Sequence, residues 1–420
     1  MSPNIKSKLY YGWIILAALF FINLVLLGIR GNFGVFFKSI ETEFELTRAA
    51  TSSLVSVYWV LTAIFIIVGG WALDRFGPRL LFLLMGLFTG LSMLLSSQCN
   101  SAWQLYLTYS LLFAIGSAPW YIVVVMTISR WFDKKRGLAM GISEVGARLG
   151  QSAFAPFYAF LILDFSWRMG FIVTGLMALF IVVPLTRILR NDPKEVGLLP
   201  DGARSVTLEE KKFKGELETQ LTGLSLSQAL RTQSYWFLTL LFLLMGFSQG
   251  LVITHIVPYA TDMNITSIEA ATILTINGAI ALPTALIAGR ISDMKGRKIP
   301  IIISTLLRTI TCIGLIWARD LWMFYSLAAL FGISAGAQGV LFGLFCVDVF
   351  GRRHSGKILS PLVMQNSIGM AIGPYVGGLI HDVTNSYAIA FIIAAIGAVI
   401  ATLLVSLVRV ETPMSDFRTA

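Results

Sequence analysis

The chain contains 420 residues, of which 56% are hydrophobic and 13% are charged, and its formal net charge is +10. Soluble domains carry about 25% charged residues, so no soluble globular fold could bury this much apolar side chain. The charges are clustered and leave nearly uncharged runs of about 20 residues, the length that crosses the hydrocarbon of a bilayer as a helix. Composition therefore excludes a soluble domain and predicts a helical membrane protein.

Twelve apolar runs predict twelve transmembrane helices and hence an all-α membrane protein. The predicted spans are roughly 11–37, 50–73, 81–97, 102–128, 138–161, 169–187, 235–259, 270–290, 300–317, 321–345, 358–380 and 387–408. The polar stretch 191–233 separates six spans from six, so we predict an N-terminal six-helix bundle (1–190), a linker and a C-terminal six-helix bundle (234–420). Within the linker, residues 208–217 are typical of a short surface helix or, equally, of a flexible tether. For individual spans, a re-entrant or merely buried helix is the alternative.

Two loops between spans repeat each other 219 positions apart. Residues 70–79 read GWALDRFGPR and residues 289–298 read GRISDMKGRK, and each is a basic, glycine-containing turn with one acid. A second pair, WFDKKRG at 131–137 and VFGRRHSG at 349–356, keeps nearly the same offset. Loops duplicated at half the chain length predict two pseudo-symmetric bundles, an arrangement found in many secondary transporters.

The duplicated loops also predict gate residues. We expect Asp74 and Asp293 at helix ends, where an aspartate pairs with a basic side chain or with the positive N-terminus of a neighbouring helix. Arg130 is the expected partner of Asp74, and Arg75 and Arg297 lie in the same two loops. Ordinary solvation of a loop aspartate is the alternative.

The basic residues predict the orientation of the chain. If both termini lie on one side, 25 of the 32 Lys and Arg residues fall on that side and 4 on the other. The positive-inside rule then places both termini in the cytoplasm. We read the net charge as this orientation signal and not as a nucleic-acid footprint. The first apolar run is too long for a cleavable signal peptide, so we expect a multi-pass protein of the cell (inner) membrane.

Charged residues inside spans are rare here, and such residues indicate functional sites by default. Glu144 and Arg148 lie one turn apart in the fifth span, and Arg148 follows Gly137 by 11 residues, roughly 16 Å into the membrane. We predict that Arg148 binds an anionic substrate through a charge-assisted hydrogen bond. A structural ion pair with Glu144 is the alternative, and the two are compatible. Arg308, in the ninth span, is expected to give structural support.

Uncharged polar residues near the middle of other spans are further substrate-binding predictions. Tyr121 lies in the fourth span, and Asn277, Gln338 and Asn366 lie in the eighth, tenth and eleventh. The three amides bind substrate or join neighbouring helices, and both interpretations stand. For Tyr121, which could shape the cavity, core packing is the alternative.

Two residues are predicted to carry a proton. Glu144 has the position, one turn from Arg148. His255, in the outer part of the seventh span, has an imidazole that titrates near neutral pH. An interfacial or simply hydrogen-bonded histidine is the alternative for His255.

The repeated loops match the signature G-x-x-x-D-[RK]-x-G-[RK]-[RK] of the major facilitator superfamily, with Pro78 and Met294 as departures. The chain resembles that superfamily over essentially its full length. The resemblance implies two bundles that rock about a site near the midplane. Several segments resemble its monocarboxylate-transporter and oxalate–formate-antiporter branch: YGW at 11–13, FGVFF at 33–37, SRWF at 129–132, RGLAMG at 136–141, EVGLLPDG at 195–202 and HIVPY at 255–259.

One departure from that branch concerns the substrate. Its members often carry an arginine in the eighth helix that holds the substrate carboxylate, and here the eighth span has none before Arg290 at its end. RGN at 30–32, AP at 118–119 and GARLG at 146–150 resemble the anion:cation symporter branch instead. That resemblance places Arg30 in the substrate cavity, while Ile29 stands where an acid usually precedes the arginine. A surface-directed Arg30 is the alternative. Both branches move organic anions.

The sequence therefore predicts a secondary active transporter of a small organic anion, most consistent with a monocarboxylate, working by alternating access with proton coupling. An anion exchanger, or an exporter of drugs or metabolites on the same fold, is the alternative. No G-x-x-x-x-G-K-[ST] loop is present, which excludes a nucleotide-driven pump, and no motif of an enzyme active site appears. We expect no cofactor, no metal and no nucleic-acid partner. The expected partners are the anion, protons and the lipid bilayer.

Overall fold

The computed structural model describes residues 10–132, 135–202, 223–351 and 355–409, without the side chains of residues 74, 293, 295 and 355. Within these ranges the secondary structure is helical apart from an isolated bridge between Gly223 and Gly351. The segment 208–217 lies outside the described residues.

Within the described ranges, twelve long helices, α1 to α12, account for the twelve predicted spans. They are Tyr11–Glu43, Arg48–Leu73, Arg75–Ser96, Ala102–Trp131, Arg136–Asp164, Trp167–Leu185, Gln233–Asp262, Ser267–Ser292, Lys298–Leu315, Leu321–Phe350, Ser355–Thr384 and Ala388–Leu407. Ten of them are long and apolar enough to cross a membrane. The other two, α5 and α11, have 29 and 30 residues and are more polar, yet both are long enough to span. The all-α fold is confirmed.

α1 is interrupted about two thirds of the way along its length, a feature that the apolar pattern did not predict. The helix runs over Tyr11–Arg30, breaks at Gly31 and Asn32, and resumes over Phe33–Glu43. The Asn32 amide donates to the Gly28 carbonyl (2.7 Å) and to the Gln151 carbonyl of α5 (3.1 Å). The break therefore fixes the position of Arg30, the last residue of the first segment, against α5.

The duplicated loops have the same backbone geometry. Gly77, near the start of α3, has φ +77°, and Gly296, between α8 and α9, has φ +79°. This left-handed region favours glycine, which explains the residue at both positions. The two glycines lie 219 positions apart, so the sequence repeat is also a structural repeat.

The same symmetry governs helix packing inside each half. On α5, Gly150 lies so close to α1 that a Cβ atom there would come within 1.9 Å of the Leu24 carbonyl oxygen. On α11, Gly369 lies so close to α7 that a Cβ atom would come within 2.1 Å of the Leu243 carbonyl oxygen. Both the glycines and the leucines are 219 positions apart. The prediction of two pseudo-symmetric six-helix bundles is confirmed at the level of individual contacts.

The bundle has a terminal end, where α1 begins and α12 ends, and an opposite distal end. Near the terminal end, Tyr11 donates to the Ile188 carbonyl (2.7 Å) and Lys298 to the Ser406 carbonyl (2.7 Å), each within one half. Hydrogen bonds and ion pairs that join the two halves, taken over the described residues, lie between the level of Ser152 and the distal end. The halves are therefore closed against each other distally.

Candidate functional site

Arg148 and Glu144 form an ion pair on one face of α5. Arg148 Nε lies 3.0 Å from Glu144 Oε1, and the two side chains are 22% and 41% exposed. Gly339 of α10, in the other half, faces the pair: a Cβ atom there would lie 3.5 Å from Arg148 Nη2. The predicted i,i+4 pair is therefore present, and it borders open space where the two halves meet. Its role with substrate stays a prediction.

A series of hydrogen bonds joins α4, α1 and α5 beside this pair. The indole of Trp120 on α4 donates to Asn23 Oδ1 on α1 (2.7 Å), and Asn23 Nδ2 donates to Ser143 Oγ on α5 (2.6 Å). Tyr121, the next residue on α4, is 53% exposed and within electrostatic range of Glu144. Three helices are thus held together next to Glu144, and the role of Tyr121 with substrate stays a prediction.

Arg30 does not extend to the distal surface. Its guanidinium carbon lies 4.4 Å from the centroid of the Trp59 ring and 6.0 Å from that of Tyr58, both on α2. Arg30 Nε is buried without a hydrogen-bond partner. A cation held by aromatic faces keeps its charge available to an incoming anion. This placement suits the cavity role that the resemblance implied for Arg30.

The three predicted amides occupy different surroundings. Asn366 Nδ2 donates to the Phe242 carbonyl (3.2 Å) and so joins α11 to α7. Asn277 is 5% exposed and lines a small cavity with apolar side chains, Phe331 among them. Gln338 is half-buried, and its Nε2 donates to Ser334 Oγ (2.9 Å). Of the three, Gln338 alone lies beside the residue of α10 that faces Arg148.

Arg308 on α9 is fully buried. Its Nη2 donates to Gln249 Oε1 on α7 (2.9 Å) and to Gln338 Oε1 on α10 (3.4 Å), and its Nε donates to Ser334 Oγ (3.2 Å). The guanidinium carbon lies 3.8 Å from the centroid of the Phe331 ring. Arg308 therefore joins α9 to α7 and α10 through hydrogen bonds, and its role stays a prediction.

His255 is also fully buried, and both ring nitrogens are engaged. Nε2 lies 2.8 Å from the Pro374 carbonyl oxygen, so this nitrogen carries the hydrogen and donates it, and Nδ1 accepts from the Tyr387 hydroxyl (3.1 Å). Burial raises the pKa of the Tyr387 phenol, which therefore stays protonated. His255 thus lies in a hydrogen-bonded core near the distal end and not beside Arg148.

Five residues that we call the distal cluster join the two halves: Glu41, Arg48, Asp262, Asp382 and Tyr387. The Arg48 side chain donates to Glu41 Oε1 (3.0 Å), to Asp262 Oδ1 (3.0 Å) and to the Tyr387 hydroxyl (2.6 Å). Asp382 Oδ1 accepts from the Arg48 backbone N–H (2.8 Å), where a carboxylate favours the helix N-terminus. Glu41 and Arg48 belong to the first half and the other three to the second, so Arg48 holds the distal end closed.

The sequence did not reveal the distal cluster, because Arg48 appeared in it only as a basic loop residue. Its partners Asp262 and Tyr387 lie 214 and 339 positions away. An aspartate at the end of an apolar run is a weak signal by itself. The pairing emerges only when the two bundles are assembled.

The predicted gate residues are described in part. The side chains of Asp74 and Asp293 lie outside the described residues, so their pairing stays a prediction. Arg130 Nη1 donates to the Asn191 carbonyl (3.3 Å), and the Arg75 guanidinium lies 5.6 Å from the Trp71 ring.

In the second half, Arg297 donates to the Leu344 carbonyl (2.8 Å) and forms an ion pair with Asp348 on α10. These contacts lie within one half at the terminal end.

Over the part of the chain that the structure describes, no group of three or more His, Cys, Asp or Glu residues is placed to hold a metal ion.

Comparisons with known proteins identify the fold and the kind of protein. A family profile described as "Major Facilitator Superfamily" matches residues 19–360 and 245–419. Monocarboxylate transporter 13 of Bos taurus is 27% identical over 393 residues, covering 91% of this chain and 86% of the relative. Monocarboxylate transporter 4 of Gallus gallus is 26% identical over 409 residues, covering 94% and 82%. These relatives are transporters, so the expectation that the chain is not an enzyme is confirmed.

Solved structures agree on the fold. A bacterial homolog of the human lysosomal transporter Spinster, crystallised inward-facing and unoccupied, superposes with a TM-score of 0.74 at 17% identity, covering 96% of this chain and 98% of that one. A POT family transporter in complex with 5-aminolevulinic acid also gives 0.74, at 16% identity and 96% and 97% coverage. Both superpositions cover nearly the full length of each chain, so the likeness shows a shared fold.

Proposed function

We propose that this protein carries a small organic anion, in particular a monocarboxylate, together with a proton. The premise is that the chain belongs to the Major Facilitator Superfamily and is one of its secondary transporters. Two half-buried cations, Arg30 and Arg148, support an anionic cargo. The named activity of the related monocarboxylate transporters supports a carboxylate. The chain would lie in the cell (inner) membrane.

The observation that carries the proposal is the Arg148–Glu144 pair at the junction of the halves. A carboxylate that approaches Arg148 competes with Glu144 for the guanidinium through bidentate, charge-assisted hydrogen bonds. Once Arg148 turns to the anion, Glu144 loses its counter-ion and becomes easier to protonate. Anion binding and proton binding would then favour each other, as symport requires.

Proton coupling also removes an electrical cost. An anion entering a negative-inside cell works against about 2.3 kcal/mol per charge per 100 mV. One proton per negative charge makes the step electroneutral. We assign the proton to Glu144 rather than His255, because both imidazole nitrogens are already hydrogen-bonded in the distal region.

Orientation follows from the loop charges. We place the terminal end, which carries most of the basic residues, in the cytoplasm. The distally closed conformation would then be inward-facing, with the Arg148–Glu144 pair reached from the cytoplasmic side. Opening of the distal cluster and closing of the terminal end would expose the same pair to the other side.

The test is uptake of radiolabelled lactate, pyruvate and oxalate into proteoliposomes, with the membrane potential clamped at zero. We expect accumulation driven by an inward proton gradient in the parent. In Glu144→Gln that accumulation should be lost while exchange of external for preloaded anion continues. Glu195→Gln, an exposed linker carboxylate, is the matched control and should behave as the parent does.

Three results would contradict the proposal. If the parent ignores the proton gradient but responds to preloaded anion, it is an exchanger. If it moves none of the three anions and instead expels apolar cations, it is an exporter on the same fold. If the double variant Glu144→Gln, His255→Asn keeps full proton-driven accumulation, both proton assignments are wrong.

A further inference from the structure

Arg308 carries a positive charge in the middle of the second bundle without a carboxylate to balance it. It follows Lys298, the first residue of α9, by ten positions and so lies about 15 Å along the helix. Its side chain is 0% exposed, and no ion pair involving it is found among the described residues. A buried, unpaired charge is costly, so such a residue calls for a partner.

The hydrogen bonds of Arg308 leave part of the guanidinium unused. Nε and Nη2 donate to Ser334, Gln249 and Gln338, but Nη1 is buried without any acceptor. The bond to Gln338 is long, at 3.4 Å. Neutral amide oxygens are weaker acceptors for a guanidinium than a carboxylate, whose two oxygens match the guanidinium fork. The Arg308 guanidinium therefore has donors left to bind one anion.

The two glutamines that accept from Arg308 are more exposed than Arg308 itself. Gln249 of α7 and Gln338 of α10 are each half-buried, and Gly339, which follows Gln338, is exposed. Gly339 is also the point of α10 that Arg148 Nη2 approaches from the other half. Arg308 and Arg148 therefore approach α10 at two adjacent residues, Gln338 and Gly339.

We propose that Arg308 is a second anion-binding residue, which receives the carboxylate of the cargo when Gln338 and Gln249 turn aside. The inference rests on the proposed anion transport and adds a residue of the second half to the site. In the absence of cargo, the two amides and the Phe331 ring hold the guanidinium. With cargo, Arg148 and Arg308 attract the same negative charge from opposite halves, and this shared attraction draws the halves together.

A purely structural Arg308 would act differently on stability. Removing an uncompensated buried charge while keeping a hydrogen-bonding amide is neutral or stabilising for the empty protein. Removing a structural cation would lower the melting temperature of the empty protein and leave ligand binding unchanged. The two roles therefore separate when stability and affinity are measured on the same variants.

The experiment measures thermal unfolding of the purified full chain, with and without sodium lactate, pyruvate or oxalate, and with sodium chloride as the inorganic anion. A ligand that binds only the folded state raises the melting temperature, and titration gives its dissociation constant. The variants are Arg308→Gln and Arg308→Lys. Thr311→Val, one turn further along α9 and bonded within its own helix, is the matched control.

We expect the dissociation constant for the carboxylate that binds the parent to rise about tenfold or more in Arg308→Gln. The melting temperature of the empty variant should not fall. Arg308→Lys, which keeps the charge without the fork, should bind with intermediate affinity, and Thr311→Val should match the parent.

Parent-like affinity in Arg308→Gln, combined with a lower melting temperature of the empty protein, would overturn the Arg308 inference and leave the transport proposal intact. Stabilisation by chloride alone, dependent on Arg308, would overturn the assignment to a carboxylate. If no carboxylate binds the parent, the proposed function fails together with this inference.

Discussion

At the scale of single residues, the Arg148–Glu144 pair determines the charge of the site. The pair is neutral as a unit, which makes it tolerable at mid-membrane depth. Its side chains are only partly exposed, so the attraction between them is less screened than on an open surface. In the proposed mechanism, an anion that binds Arg148 would replace Glu144 as the counter-ion of the guanidinium.

Replacing Arg148 with alanine is expected to abolish binding of the cargo carboxylate while the protein still inserts and folds. The variant removes the cation that binds the anion and leaves Glu144 without its counter-ion, so a charged Glu144 repels the anion. The measurement is the ligand-induced rise in melting temperature, which for the parent corresponds to about 2.7 kcal/mol at a ligand concentration 100 times the dissociation constant. Leu149→Ala, the neighbouring exposed residue, is the control and should retain the full rise. A parent-like rise in Arg148→Ala would reduce the pair to a structural role.

The sequence predicted this pair and missed the distal cluster for one physical reason. Residues four apart on a helix are neighbours whatever the tertiary fold, so the Arg148–Glu144 contact follows from spacing. The partners of Arg48 come from the other half of the chain, and only the packing of two bundles brings them together. For Arg308 the sequence predicted structural support but not Gln249 as its nearest acceptor, because that residue lies 59 positions away.

At the scale of helices, glycine contacts determine how closely α5 approaches α1 and α11 approaches α7. Membrane helices gain little from hydrophobic association, so close packing of small residues carries their interaction. The sequence showed glycines along α11, and it also showed the spans and the repeated loops. It did not show which helix each glycine faces, nor the break at Gly31 and Asn32, because neither interrupts the apolar run.

Gly150→Ala is therefore expected to destabilise the protein. A Cβ atom at Gly150 would come within 1.9 Å of a backbone oxygen, which cannot move without shifting α1. Overpacking of this kind costs about 1–3 kcal/mol, and Gly369→Ala should show a similar loss by symmetry. Gly141→Ala, also on α5 but with open space around the new atom, is the matched control and should be neutral or stabilising by about 0.4–1 kcal/mol. Equal melting temperatures for Gly150→Ala and Gly141→Ala in one detergent would contradict the packing argument.

For the molecule as a whole, the distal cluster joins the two halves, and in the proposed alternating access it would set the balance between two arrangements of the halves. Arg48 is 8% exposed, and its three side-chain hydrogen bonds reach residues of both halves. Lys38 adds a further ion pair to Asp262 at 2.7 Å. Opening the distal end requires these bonds to break together, so their combined free energy biases the resting state toward the distally closed form.

Arg48→Gln is expected to shift that balance toward a distally open form. The substitution leaves Asp262 and Glu41 without their shared cation, and a change of about 2 kcal/mol alters the ratio of two states about thirtyfold. The shift can be measured as a longer distance between spin labels on distal loops of the two halves, at Asn100→Cys and Arg319→Cys, in a background with Cys99, Cys312 and Cys346 replaced by alanine. Arg168→Gln removes another distal arginine, whose ion-pair partner Glu43 lies in the same half, and should leave the distance unchanged. An unchanged label distance in Arg48→Gln, or an equal lengthening in both variants, would show that the distal cluster does not hold the halves together.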